Sequence, residues 1–417
     1  MSSVAKSVRM PPSRRTGHTV YPILFMVSVT HLLNDTMQSV IPAVYPLLKS
    51  KFGFTFAQIG TITLVFQMTS SLLQPFVGRR ADLHPRPYSL AVGMCFTLAG
   101  LLTLSAARGF PAILLAVGFI GWGSSVFHPE SSRVAQLASG GRKGLAQSIF
   151  QVGGNAGSAM GPLLAALIVM PFGQGAIGWF GLAAVLAIVI LVRIGNWYRL
   201  QLTAGSDAFA VSAQTPGHFL SKRKIHTAMF ILTALVFSKY FYIACMTNYF
   251  TFFLIGKFGI SVQSSQYCLF AFLAASAAGT VIGGPLGDRF GRKYVIWGSI
   301  LGAAPFALML PHANLYCAVV LAIIIGLVIS SAFSAILVYA TDLMPGKVGM
   351  VSGIFFGLMF GLGGIGSAFF GWLADRTSIE FIFRVSALLP LLGAVAGFLP
   401  GMESKGKTKN TNDAIRM

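Results

Sequence analysis

The sequence predicts an all-α membrane protein, with twelve transmembrane helices in two pseudo-symmetric six-helix bundles. Of its 417 residues, 55% are hydrophobic and only 10% are charged, whereas about 25% of residues are charged in soluble proteins. Apolar stretches of the ~20 residues that a helix needs to cross a bilayer recur along the chain. The chain also repeats itself: the tripeptide Lys-Phe-Gly occurs at 51–53 and again, 206 residues later, at 257–259. Two copies of one six-helix unit explain these observations.

The apolar stretches give the predicted helices in order. In the first copy they occupy residues 20–48, 57–79, 88–107, 111–137, 144–170 and 176–198. In the second copy they occupy residues 226–256, 264–286, 293–311, 314–341, 347–374 and 379–400. The bundles therefore span 20–198 and 226–400, a polar cytoplasmic linker spans 199–225, and polar cytoplasmic tails are expected at 1–19 and 401–417.

The positive charges set the predicted orientation. The chain has 30 Lys and Arg against 10 Asp and Glu, which gives a net charge of +20. When the N-terminus is placed in the cytoplasm, most of these basic residues fall on the cytoplasmic side, as the positive-inside rule requires. We therefore expect both termini in the cytoplasm, and we attribute the basic excess to topology rather than to nucleic-acid binding.

Nothing in the sequence indicates an enzyme or a cofactor. The four cysteines lie singly within predicted helices, as small apolar packing residues do: Cys95, Cys245, Cys268 and Cys317. The chain has neither a phosphate-binding P-loop nor a zinc-binding HExxH motif. We expect no catalytic residue, no metal and no cofactor. Apart from the linker, the predicted loops are short and leave no room for a soluble domain, so we expect the protein to act within or across the bilayer.

One loop pattern occurs in both copies, after the second and after the eighth predicted helix. Its residues are Gly78, Asp82 and Arg86 in the first copy and Gly284, Asp288 and Arg292 in the second. Glycines let helix ends approach closely, and the carboxylate can meet an arginine or a helix N-terminus. The pattern predicts a conformational latch that breaks when the bundles rock; the alternative is a basic loop that only sets topology.

The fifth predicted helix carries small residues at helical spacing, with Gly157, Gly161 and Pro162 following Gly153 and Gly154. Small residues four apart permit close helix contact, and a proline bends a helix because it lacks the backbone N–H. The segment is therefore either part of the moving machinery or a packing interface.

Ionisable side chains inside predicted helices are costly in a membrane and indicate function. The first helix carries His31 and Asp35, which the i, i+4 spacing places on one face, and the fourth carries His128 and Glu130. We predict that these four residues couple transport to protons, with Asp35 or Glu130 as the carrier. The alternatives are that Glu130 neutralises Arg133 and that Asp35 pairs with a nearby helix or with His31.

Two basic residues inside predicted helices, Arg133 and Lys239, are the candidate receptors for a negatively charged substrate. Polar residues that could line the same cavity are Asn34, Gln151, Asn155, Tyr240 and Tyr242. The alternatives are that Arg133 pairs with Glu130 and that Lys239 pairs with Asp35 across the two bundles.

The repeated loop pattern resembles the signature of the major facilitator superfamily. Thr-His-Leu-Leu-Asn-Asp at 30–35, Phe-Ser-Lys-Tyr-Phe-Tyr at 237–242, and the segments 123–133 and 147–155 resemble drug exporters of that superfamily. The resemblance covers the chain from the first to the twelfth helix. It implies the major facilitator fold, a bacterial inner (cytoplasmic) membrane location, and export of a small anionic drug, a fosmidomycin-like phosphonate, by proton antiport with alternating access. Gly157, Gly161 and Pro162 are similar to the fifth-helix motif of its proton-coupled antiporters.

The expected partners are a small anionic substrate, protons and the lipid bilayer, and we expect a monomer. Three alternatives stay open: an importer or uniporter of an anionic metabolite, a membrane sensor that transports nothing, and a membrane-embedded enzyme. A sensor should lack a continuous polar cavity between the bundles, and an enzyme of this kind should contain a metal.

Overall fold

The computed structural model describes residues 18–140, 142–203, 221–344 and 348–400. Over these ranges the chain is almost entirely helical and contains no β-strand. The fold class expected from the sequence, an all-α membrane protein, is confirmed.

The first half contains α1 to α8. Their bounds are α1 Tyr21–Ala43, α2 Tyr45–Phe52, α3 Phe56–Leu83, α4 Ser89–Ala106, α5 Phe110–Leu137, α6 Lys143–Leu164, α7 Met170–Phe172 and α8 Phe180–Thr203. A π-helical turn at Ala165–Val169 joins α6 to α7, and a 3₁₀ helix at Gln174–Trp179 precedes α8.

The second half contains α9 to α15. Their bounds are α9 Lys222–Phe258, α10 Val262–Phe290, α11 Arg292–Met309, α12 Leu315–Ser330, α13 Ala332–Leu343, α14 Val348–Arg376 and α15 Ile379–Ser386. The chain then continues as a 3₁₀ helix at Leu389–Phe398.

Eleven segments of the described ranges are long and apolar enough to cross a membrane. The 23-residue helix α1 is not among them because it carries His31, Asn34 and Asp35, although its length is sufficient for a span. Together these segments match the twelve helices expected.

Three of the predicted single helices are broken, and the twelfth divides at Ala387 and Leu388, between α15 and the 3₁₀ helix that follows. The first one divides into α1 and α2 at Val44, where Pro46 follows and has no N–H to continue the ladder. The tenth divides into α12 and α13 at Ser331, whose hydroxyl donates to the carbonyl of Val328. On either side of the predicted linker, α8 extends to Thr203 and α9 begins at Lys222.

The repeat in the sequence is a repeat in the structure. Gly53 and Gly259 end α2 and α9 in the left-handed conformation, with φ of 67° and 65°. Two residues later Thr55 and Ser261 cap α3 and α10 with their hydroxyls. The same turn is therefore built twice, from a glycine that tolerates positive φ and a hydroxyl that accepts a helix N–H.

Each half has equivalent contacts at one end of the molecule, which we call the distal end. There Lys51 Nζ donates to Gln174 Oε1 at 2.8 Å, and Lys257 Nζ donates to the carbonyl of Pro311 at 2.6 Å. At the opposite, proximal end, Val20 N donates to the carbonyl of Ala138 at 2.8 Å. The helices between these ends form the two halves.

Packing within the first half brings α1 against α6 and α4 against α5, and packing between the halves brings α3 against α14 and α6 against α10. The first of these contacts builds the candidate site described below. The last two join one half to the other.

Candidate functional site

Asp35 lies between α1, α5 and α6 in the first half. Its Oδ2 is 3.4 Å from Nε2 of His31, one turn earlier on α1, and its Oδ1 is 3.5 Å from Nε2 of His128 on α5. Asn34 Nδ2 donates to Oδ1 at 3.0 Å, and Ser158 Oγ lies 3.5 Å from Oδ2. We call His31, Asp35 and His128 the histidine–aspartate cluster.

Both imidazoles of the cluster are oriented by backbone carbonyls. His31 Nδ1 lies 2.8 Å from the carbonyl oxygen of Phe150, and His128 Nδ1 lies 3.2 Å from that of Ser124. A carbonyl oxygen can only accept, so Nδ1 of each ring carries a hydrogen. The ring of His31 is also stacked on that of Phe150, with centroids 4.0 Å apart. Each Nε2 is thereby turned towards Asp35.

This orientation makes the cluster a place for a proton. With Nδ1 protonated, a neutral imidazole presents a lone pair at Nε2, and two such lone pairs facing an ionised carboxylate repel it. A proton on either Nε2, or on Asp35, converts a repulsive contact into a charge-assisted or neutral hydrogen bond. The three groups can therefore share one proton.

The cluster also offers the donor types that metals prefer. One atom from each of His31, Asp35 and His128 lies within 4.8 Å of the other two, close enough to hold a metal ion. The sequence predicted no metal, because spacing on α1 alone supplies only two donors. Since a proton satisfies the same contacts, the geometry does not by itself require a metal.

Glycines on α6 let α1 come close enough to build the cluster. A Cβ added to Gly154 would lie 2.3 Å from Cε1 of His31, and a Cβ on Gly157 would lie 2.3 Å from the carbonyl oxygen of Leu32. At Gly161 it would lie 2.0 Å from Oγ of Ser39. The glycine row is thus a packing interface, and the ring of His31 occupies the volume that a side chain at 154 would need.

Lys239 lies in the second half, on α9, and is only 2% exposed. Among the residues that the structure describes, no carboxylate lies within 4.0 Å of its Nζ, which instead stands 5.4 Å and 5.7 Å from the ring centroids of Tyr240 and Phe333. Its pocket has room for about one water molecule. The lining residues are Val236, Tyr240, Phe333, Ile336, Leu337, Phe355 and Met359. A buried cation without a carboxylate is suited to receiving an anion.

One stretch of α14 contacts both the histidine–aspartate cluster and the pocket of Lys239. Phe355 and Met359 line the pocket of Lys239, while the ring of the next residue, Phe360, lies 6.0 Å from that of His128. The cluster and the lysine belong to different halves of the molecule. One turn of α14 therefore contacts both sites, and no direct ion pair joins Lys239 to Asp35 in the described residues.

A family model decides what kind of protein this is: that of the Major Facilitator Superfamily matches residues 27–256 and 240–416. The chain belongs to the major facilitator superfamily. It is 57% identical to the fosmidomycin resistance protein of Escherichia coli (strain K12) over 393 residues, which are 94% of this chain and 96% of that protein. It is 42% identical to YfnC of Bacillus subtilis (strain 168), named an uncharacterised MFS-type transporter, over 95% of this chain and 97% of that protein.

Solved structures of the superfamily share the fold. A bacterial homologue of the human lysosomal transporter Spinster, in an inward-facing and occupied conformation, aligns with a TM-score of 0.69 at 16% identity, over 92% of this chain and 95% of that one. The nucleoside transporter NupG aligns with a TM-score of 0.67 at 13% identity, over 90% and 99%. This major facilitator protein is a membrane transporter and not an enzyme.

The remaining predicted site residues lie on α5, α6 and α9. Glu130 is buried on α5 and Arg133, one turn further, is half-buried. On α6, Gln151 Nε2 lies 3.3 Å from Oδ1 of Asn155, and on α9 Tyr242 packs in the apolar core of the major facilitator fold.

The predicted latch is only partly within the described side chains. The side chains of Gly78, Asp82, Gly284 and Asp288 lie outside the described residues. Arg86 is exposed, and Arg292 pairs with Asp342 on α13 of the same half.

Sequence reasoning missed the groups that orient the cluster. The carbonyls of Phe150 and Ser124 belong to residues whose side chains carry no relevant signal, and Gly154 was read as one of several small residues. A spacing argument cannot find them, because they act through backbone atoms brought together by the superfamily fold.

Proposed function

We propose that this protein exports a small anionic compound, a fosmidomycin-like phosphonate, from the bacterial cytoplasm in exchange for protons. The observation that carries the proposal is the arrangement of His31 and His128, whose Nε2 atoms both face the carboxylate of Asp35 while their Nδ1 atoms are held by backbone carbonyls. Such a cluster binds a proton reversibly in the middle of a transporter. The identity to the Escherichia coli fosmidomycin resistance protein supports the drug as a substrate.

The anion would bind at Lys239, whose ammonium lacks a carboxylate neighbour among the described residues. The apolar and aromatic lining of its pocket keeps the ammonium away from bulk water and so strengthens its attraction to a phosphonate. Arg133, from the other half, would add a planar fork that can donate to two phosphonate oxygens at once. The substrate then carries negative charge because both candidate receptors are cations.

Coupling would pass through α14. A proton bound by the cluster would neutralise its net negative charge and change the contact between the rings of His128 and Phe360. Met359, the residue before Phe360, lines the pocket of Lys239. Glu130, buried on the same helix as His128, is the second candidate carrier. Proton entry and anion exit both follow an inside-negative potential, which contributes about 2.3 kcal/mol per charge for each 100 mV.

The orientation completes the proposal. With both termini in the cytoplasm, the distal end faces outward and the proximal end faces inward, as expected from the basic loops. The contacts between the halves at the distal end then close the outer side, so the drug would enter from the cytoplasm. We infer a monomer in the inner membrane, because each half completes the packing of the other.

Proteoliposomes with an internal pH dye test the proposal. Fosmidomycin added outside the liposomes should drive protons out of them, towards the side of drug addition, and Asp35→Asn should reduce this movement by about 100-fold or more, since an amide cannot carry the proton. Glu380→Gln, an exposed acid on α15 outside the site, is the matched control and should retain it.

Three results would contradict the proposal. Proton movement by Asp35→Asn at the parent rate would remove the cluster from the mechanism. Fosmidomycin flux in the parent without proton movement would indicate a uniporter, and uptake of an anionic metabolite with no drug flux would indicate an importer.

A further inference from the structure

Asp375 lies in the last turn of α14, in the second half, and contacts the first turn of α3, in the first half. Its Oδ1 accepts from the backbone N–H of Phe56 at 2.7 Å, and its Oδ2 accepts from that of Ala57 at 2.7 Å. The first N–H groups of a helix have no partner within the helix and carry partial positive charge. One carboxylate of one half thus caps a helix of the other at the distal end.

The two helices joined by this cap touch along glycines. A Cβ on Gly60 of α3 would lie 2.5 Å from the carbonyl oxygen of Ser367 on α14, and a Cβ on Gly371 of α14 would lie 2.2 Å from the carbonyl oxygen of Phe56. No side chain separates the two backbones at these points. The cap therefore closes a seam in which even one methyl group has no room.

A second seam lies at the equivalent place of the repeat. Gln263, which is 206 residues after Ala57, donates from Nε2 to the carbonyl oxygen of Ala166 at 3.1 Å. Ala166 lies in the π-helical turn after α6, where the wider turn changes which carbonyls are used within the helix. Both halves thus close the distal end with the first turn of α3 or α10, and of these two described contacts the one at α3 involves a charged group and the one at α10 an uncharged amide.

A chain of buried hydrogen bonds also joins α3 to the second half. Tyr45 Oη lies 2.6 Å from Oγ1 of Thr63, which donates to Oδ1 of Asn248 on α9 at 2.8 Å. All three side chains are at most 5% exposed. Buried groups must keep their hydrogen bonds, so separation of the halves here requires new partners or water.

We propose that Asp375 is the latch of the distal gate, and that the transporter opens at this end by giving up the two hydrogen bonds from Phe56 and Ala57. Charge-assisted hydrogen bonds are stronger than neutral ones. The contact of Asp375 therefore favours the closed state more than the hydrogen bond from Gln263 to Ala166 does. On opening, water replaces Asp375 at the α3 N-terminus and hydrates the free carboxylate. This latch does not depend on which substrate or coupling ion the transporter uses.

Spin labels across the distal end test the latch. Cysteines replace the exposed residues Ser50, at the end of α2, and Thr377, after α14, in a variant whose four native cysteines are alanine. Pulsed dipolar spectroscopy in the absence of drug then measures the separation. Asp375→Asn should raise the ratio of long to short separations by about tenfold, because it removes the charge and one acceptor.

Three further variants separate a latch from a general loss of stability. Gly60→Val should shift the separations in the same direction by inserting a side chain into the seam, whereas Glu380→Gln, which removes an acid at the same end, should leave them unchanged. Asp375→Glu should return part of the short-distance population.

The proposal is overturned if Asp375→Asn keeps the distribution of the parent, or if Glu380→Gln shifts it equally. Should Gly60→Val not fold, the comparison of Asp375→Asn with Asp375→Glu decides alone. Because no drug or proton gradient is used, a failure of the export proposal leaves this result readable.

Discussion

The imidazole of His31 rests against the backbone of Gly154, at a point where a Cβ would come within 2.3 Å of its Cε1 atom. The ring cannot retreat, because it is stacked on Phe150 and its Nδ1 is held by the carbonyl of the same residue. Position 154 thereby fixes the distance between His31 and Asp35.

We expect Gly154→Ala to displace His31 and reduce drug-driven proton movement by about tenfold or more, since an error of 1 Å at a reacting group can cost about 100-fold. Gly118→Ala on α5 is the matched control, because a Cβ there meets nothing within 4 Å. It should keep full activity and unfold at a slightly higher temperature, as alanine is the better helix former. Equal activity of the two variants in the liposome assay would contradict the role given to Gly154.

The sequence is informative where the chemistry is local. His31 and Asp35 are four residues apart on one helix, so helical geometry alone places them together. The arrival of His128 from α5 needs the fold, and only the burial cost of its charge indicated it in advance. The turn at Thr55 and its copy at Ser261 follow from the repeat.

Other features depend on contacts between distant segments. The cap on α3 by Asp375 joins residues more than three hundred positions apart, and a single exposed acid near a helix end has no distinguishing pattern. The break at Ser331 arises from a side-chain bond to the backbone, and many serines in helices make none.

Lys239 gives a prediction about affinity. Lys239→Ala should raise the KM for fosmidomycin by about tenfold to 100-fold, since a charge-assisted hydrogen bond is worth about 1.5–3 kcal/mol. Lys224→Ala, an exposed lysine in the first turn of the same helix, should leave the KM unchanged. Initial rates of drug uptake into inverted vesicles measure both. A KM that is the same in Lys239→Ala and the parent would remove the lysine from the binding site.

Phe360 gives a prediction about coupling. Its ring lies 6.0 Å from that of His128, and its neighbour Met359 lines the pocket of Lys239. Phe360→Ala should still bind the drug but move fewer protons for each drug molecule, because the contact that relates the two places is lost. Ile354→Ala, on an exposed face of the same helix, is the control. Parallel measurement of drug flux and proton flux gives the ratio, and an unchanged ratio in Phe360→Ala would exclude α14 as the link.

Arg292 and Asp342 form an ion pair between α11 and α13 at the proximal end, with side chains 33% and 43% exposed. An ion pair with this exposure contributes at most about 1 kcal/mol, because solvent screens it. Arg292→Asp and Asp342→Arg should each lower the temperature of unfolding in detergent, and the double exchange should recover most of the loss. Raising the salt concentration should shrink the difference between single and double variants, since screening acts on the charges alone. Additive losses in the double variant would mean that Arg292 acts through another group, and the predicted latch with Asp288 would then be the first contact to test.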